Sequence, residues 1–93
     1  MYQFLSTAKP NKPTLSITNH PIDGHYIMLT CASTSHSVNK FEFFKNGHSL
    51  GRAGSDKTYE LHQKDGPKNA GAYTCKAYVG NVASDFSSSV MGE

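Results

Sequence analysis

Apolar and polar residues alternate along most of this chain with a period of two, the spacing of a half-buried β-strand. Thr14-Leu15-Ser16-Ile17-Thr18 places Leu15 and Ile17 on one face. Tyr26 to Ala32 does the same with Ile27, Leu29 and Cys31. Lys40-Phe41-Glu42-Phe43-Phe44-Lys45 is an aromatic strand that ends in Asn46-Gly47, a pair that tolerates positive φ at both central positions of a tight hairpin turn. Ser49 to Asp56 is polar and leaves room for one short strand. Thr58-Tyr59-Glu60-Leu61-His62 then directs Tyr59 and Leu61 inward. Asp65 to Asn69 turns the chain into Ala72 to Tyr78, and Gly80-Asn81 forms a tight hairpin. The last alternating run, Val82 to Val90, puts Val82, Phe86 and Val90 on one face, and Ala83, Asp85 and Ser87 on the other.

No segment holds a helical period, and no repeat is visible. Six or seven short strands separated by turn signals predict an all-β sandwich of two antiparallel sheets. Residues 1–12 have a different character: Lys9-Pro10-Asn11-Lys12-Pro13 reads as an extended, polyproline-like connector. The expected organisation is a linker or disordered extension over 1–12 and one domain over 13–93.

Composition narrows the functional classes. At 93 residues a chain buries only about 60–65% of its unfolded surface, so its core is marginal without a covalent staple. Two cysteines in a small β-rich chain point to an oxidised pair and an extracellular setting; two reduced thiols in a cytosolic domain are the other reading. The formal charge of +2 is small and no basic stripe forms, so nucleic acid is not an expected partner. No apolar run is long enough to span a membrane, and direct insertion is not expected. Met1-Tyr2-Gln3-Phe4-Leu5 lacks the cationic and apolar regions of a signal peptide, which predicts a domain taken from a longer exported chain.

A strand-borne Cys31, a central aromatic strand with Asn-Gly, and Gly71-Ala72-Tyr73-Thr74-Cys75 together resemble the immunoglobulin superfamily, over about Lys12 to Val90. The resemblance implies an immunoglobulin-like β-sandwich with Cys31 and Cys75 bridging the sheets and Tyr73 as a tyrosine corner bonded to backbone near the preceding turn. It also implies a core residue on the third strand, packed on the disulfide. The family uses Trp there; this chain has none, and Phe43 takes the place. Asn69 stands where the family usually has Asp. Leu29 and Leu61 complete the expected core. The short interval from Gly47 to Tyr59 implies a constant-like or intermediate-set domain.

The expected function is a non-catalytic recognition or adhesion module, one domain of a larger cell-surface receptor, adhesion or secreted immune-type protein. Its partners would be proteins, a second copy of itself included, and neighbouring domains of its own chain. The alternative is a structural spacer in a tandem array, including an intracellular muscle-like one. Strand parity sends Glu42, Phe44, Thr74, Lys76, Tyr78 and Asp85 outward, two aromatics among mixed charges. Glu42, Phe44, Lys76, Tyr78 and Asp85 form the candidate partner-binding face, with Glu42 and Lys76 placed to pair across strands. The polar loop Ser33 to Asn39 is a second candidate. No nucleophile elbow or phosphate loop occurs, and no catalytic residue or cofactor is expected. Five histidines are present, of which His20 and His25 flank Asp23, but none has the spacing of a closed metal site, so no metal is expected.

Overall fold

A computed structural model of the chain describes residues 9–19, 26–51, 54–62 and 70–92. Its strands are β1 (Thr14–Asn19), β2 (Tyr26–Ala32), β3 (Lys40–Lys45), β4 (His48–Ser49), β5 (Thr58–His62), β6 (Gly71–Val79), β7 (Val82–Ala83) and β8 (Val90–Gly92). All pairings are antiparallel and fall into two sheets. One has the order β1-β2-β5; the other has the order β4-β3-β6-β7, with β8 also pairing with β6. The fold is all-β, as the alternation predicts. The turn at 20–25, the turn at 63–69 and residues 1–8 of the N-terminal extension lie outside the described residues.

The central strand of each sheet supplies one cysteine. Cys31 of β2 and Cys75 of β6 form a disulfide with their Cα atoms 6.2 Å apart, closing a sequence separation of 44 residues. Both are fully buried, as are Leu29, Tyr73 and Ala77. Leu15, Phe41 and Phe43 join them in one cluster, against which Ile17, Tyr59, Leu61 and Val90 pack. Phe43 sits directly opposite Cys75 across the β3–β6 ladder. Its ring centroid is 5.7 Å from that of Tyr59 on the other sheet, within the range of favourable aromatic pairs. Phe43, Tyr73, Leu29 and Leu61 thus occupy the inter-sheet layer.

The hairpin between β3 and β4 turns on Asn46 (φ 51°) and Gly47 (φ 84°), the two positive values that this type of turn requires. Asn46 also ties the turn to the neighbouring strand: its N–H donates to the Ala72 carbonyl at 2.7 Å and its Oδ1 accepts from the Ala72 N–H at 3.0 Å. Gly71 lies under this contact, where an added Cβ would come within 3.2 Å of the Asn46 side chain.

The last segment departs from simple alternation. Between β7 and β8 the chain advances three residues for every two on β6: Val90 pairs with Tyr73, Ser87 bonds Cys75 and Ser84 bonds Ala77. At each step one serine satisfies both groups of its partner. The Ser87 N–H donates to the Cys75 carbonyl and its Oγ accepts from the Cys75 N–H, both at 2.9 Å. Ser84 does the same for Ala77, at 2.8 and 2.9 Å. A hydroxyl stands in for the missing ladder carbonyl, and the extra residue bulges out. Ser84 and Ser87 are therefore buried and Phe86 is 42% exposed, which reverses the sidedness expected for Phe86 and Ser87.

Removing a hydroxyl that serves a buried N–H leaves that donor unpaired, at a cost of about 1–3 kcal/mol. Ser87→Ala is expected to lower the unfolding free energy by that amount in urea titrations, while Ser88→Ala, at an exposed position, leaves it unchanged. Equal stabilities for Ser87→Ala and wild type would contradict the role assigned to the hydroxyl.

Candidate recognition face

The outward face of the β3–β6 sheet is built by parity. Because Phe43 and Cys75 point into the core, their neighbours Glu42, Phe44, Thr74 and Lys76 point away from it. The register sets Glu42 against Lys76 and Phe44 against Thr74. Of the five residues expected to form the face, Glu42, Lys76 and Tyr78 are partly buried and Asp85 is exposed. Phe44 does not present its ring to solvent: it is 8% exposed. Phe86, delivered by the three-residue step, covers it edge to face with centroids 4.9 Å apart, a preferred geometry for aromatic rings. Alternation could not find Phe86; the signal was the Ser84-x-x-Ser87 spacing around it.

Glu42 and Lys76 are opposite each other but do not pair. The Lys76 ammonium lies 4.3 Å from the Phe86 ring centroid and 5.7 Å from that of Phe44, a cation–π arrangement worth about 0.5–1 kcal/mol at an exposed site. Glu42 is engaged elsewhere: Tyr78 donates its hydroxyl to Oε1 at 2.5 Å and Ser49 donates to Oε2 at 2.7 Å. Tyr78 in turn carries the Lys40 ammonium 5.7 Å from its ring centroid. The face thus has two adjoining units. One is a carboxylate clamped by two hydroxyls; the other is an aromatic pair capped by a lysine.

At the sheet edge the Lys9 ammonium donates to Asp85 at 2.9 Å. This bond, with the adjacent positive charge, holds the Asp85 carboxyl below the usual carboxylate range. The pair draws the start of the described chain onto the face. Asn11 adds a second tie, its N–H donating to the Ser35 hydroxyl at 2.6 Å. Met91, 66% exposed, adds an apolar side chain on β8.

Of the metal reading, His20, Asp23 and His25 lie outside the described residues. Among the described residues, no three His, Cys, Asp or Glu side chains are grouped closely enough to hold an ion, and no helix is long and apolar enough to cross a membrane. No protein-family model and no curated protein matches the chain. The geometry of the face is accordingly the basis for its functional reading.

Tyr78 gives this geometry a titration signature. The bond to Glu42 and partial burial push its pKa from the ordinary 10 to about 12. A raised value in the folded state means that the stabilisation from this bond is complete below pH 10 and is lost as pH rises through about 12. Carbon NMR of the tyrosine ring is expected to show Tyr78 ionising near 12 in wild type and closer to 10 in Glu42→Gln. A wild-type midpoint near 10 would mean that the clamp does not form.

Proposed function

We propose that this chain is an immunoglobulin-like domain of an extracellular receptor, adhesion or secreted immune-type protein, and that it recognises a protein partner without catalysis. The observation that carries the reading is the Phe86–Phe44–Lys76 stack. An exposed aromatic residue is held on the sheet edge to face with a second ring, with a cation over its own ring. Aromatic residues held in place before binding lose little entropy on association, which is why they dominate interface energetics. The clamped Glu42 and the exposed Asp85, with Lys40 on Tyr78 and Lys9 on Asp85, supply a polar rim of both signs beside this anchor. The immunoglobulin-like assignment is supported by a disulfide that joins the central strands of two antiparallel sheets, with Tyr73 buried two residues before the second cysteine.

A second reading, the spacer domain of a tandem array, is favoured by a different observation. Lys9 and Asn11 are each bonded to the body of the domain, and Pro10 and Pro13 are buried. A segment tied down in this way would hold a preceding domain at a fixed angle. The two readings are compatible in one protein.

The recognition reading is tested with the domain displayed as a soluble multimer on panels of cells. Phe86→Ser combined with Lys76→Glu is expected to reduce binding at least about tenfold, the effect of losing an interface hot spot, while the domain stays folded with a melting temperature lower by roughly 4–8 °C. Binding equal to wild type would remove this stack from the interface.

A further inference from the structure

At one end of the sandwich, away from the outward face, the two sheets part around a cleft of about 400 Å³. This is within the range of small-ligand pockets. Its floor is apolar, made by Cys31, Val38 and Phe41. Its walls come from the end of β2, from the loop 33–38 and from Lys57 just before β5.

The polar groups on these walls have one chemistry in common. Ser33, Ser35 and Ser37 bring hydroxyl groups, and His36 and Lys57 bring nitrogen groups; among the described residues no carboxylate lines the cleft. The hydroxyl oxygens of Ser33 and Ser35 are used as acceptors, from the N–H groups of Ser35 and Asn11, which leaves their protons to donate. The Lys57 ammonium has no partner among the described residues. The wall is thus rich in donors and carries a single unpaired ammonium. Ser37 is held at φ 68°, a conformation that non-glycine residues rarely adopt and that occurs preferentially at binding sites.

We propose that this cleft binds an acidic sugar unit, with the Lys57 ammonium on the oxyanion and the serine hydroxyls donating to the sugar oxygens. The ligand must be rich in acceptors and anionic, and it must be satisfied by side chains. A peptide added as a strand would need an open edge. β2 offers none: it lies between β1 and β5, and the Cys31 N–H is taken by the Lys57 carbonyl at 2.8 Å. A sugar bearing a carboxylate needs no ladder. Asn11 fixes the loop from outside, bonding both Ser35 and Thr34, so the hydroxyls are in place before the ligand arrives. The site is independent of the Phe86 stack, and the failure of one leaves the other standing.

The test is a titration of the ¹⁵N-labelled full chain, followed by amide shifts, with glucuronate, glucose, acetate and N-acetyl-aspartate amide. Glucuronate is expected to give saturable shifts confined to residues 33–38 and 57, with glucose and acetate binding far more weakly. Lys57→Gln, at an exposed position, is expected to weaken glucuronate about tenfold. Ser37→Gly, which keeps the backbone conformation and deletes one hydroxyl, weakens it several-fold. The proposal is overturned if glucuronate gives no saturable shifts, or if Lys57→Gln binds as wild type. It is also overturned if acetate matches glucuronate, which would make the cleft a general anion site, or if the aspartate derivative does, which would make it a site for acidic peptides.

Discussion

The covalent tie between Cys31 and Cys75 is the constraint on which the rest of the domain depends. It joins the central strand of one sheet to the central strand of the other and fixes which face of each strand is interior. Once Cys75 points inward, Phe43 opposite it must do so too, and Glu42, Phe44 and Lys76 must point out. The inter-sheet layer of Leu29, Phe43 and Tyr73 fills around the bridge. For so short a chain this matters energetically. Closing a loop of 44 residues contributes about 4 kcal/mol in the chain-entropy account, against a total stability of about 5–15 kcal/mol for a typical domain.

The second determinant is the way the sheet ends. An edge strand in regular register would offer an open ladder to other chains. Here Ser84 and Ser87 hold the last segment to β6 through their hydroxyls, and the bulge between them breaks the regular outer edge. The consequence reaches the surface: the bulge delivers Phe86 over Phe44, and Lys76 leaves its cross-strand position opposite Glu42 to lie on the ring. A backbone irregularity at the edge thereby composes the aromatic part of the face.

Most of the strand layout was legible because a period of two leaves a clear trace in Leu15/Ile17, in Leu29/Cys31 and in Phe41/Phe43. The Asn46-Gly47 turn was legible because few other pairs take positive φ twice. The outward set Glu42, Lys76 and Tyr78 followed from the same parity. What alternation could not convey was the three-residue step after Ala83, because a bulge shifts parity without changing composition. Alternation alone therefore puts Phe86 in the interior and Phe44 at the surface. The Glu42–Lys76 pairing failed for a related reason. Strand register puts the two side by side, but Tyr78 and Ser49 offer the carboxylate two hydroxyl donors and two rings compete for the ammonium. The cleft beside Ser33–Val38 depends on Lys57, which is distant in sequence and comes close only through the β2–β5 pairing.

If the inter-sheet bridge governs the domain as argued, its removal should cost stability on the scale of the loop it closes. The direct measurement is the urea unfolding free energy of wild type and of the Cys31→Ala/Cys75→Ala double variant under the same conditions. The account predicts a loss of about 4 kcal/mol or more, the loop-closure contribution plus the cavity left by two buried sulfurs. A double variant within about 1 kcal/mol of wild type, well short of the usual cost of deleting a native disulfide, would contradict it and would place the organising interaction elsewhere in the core.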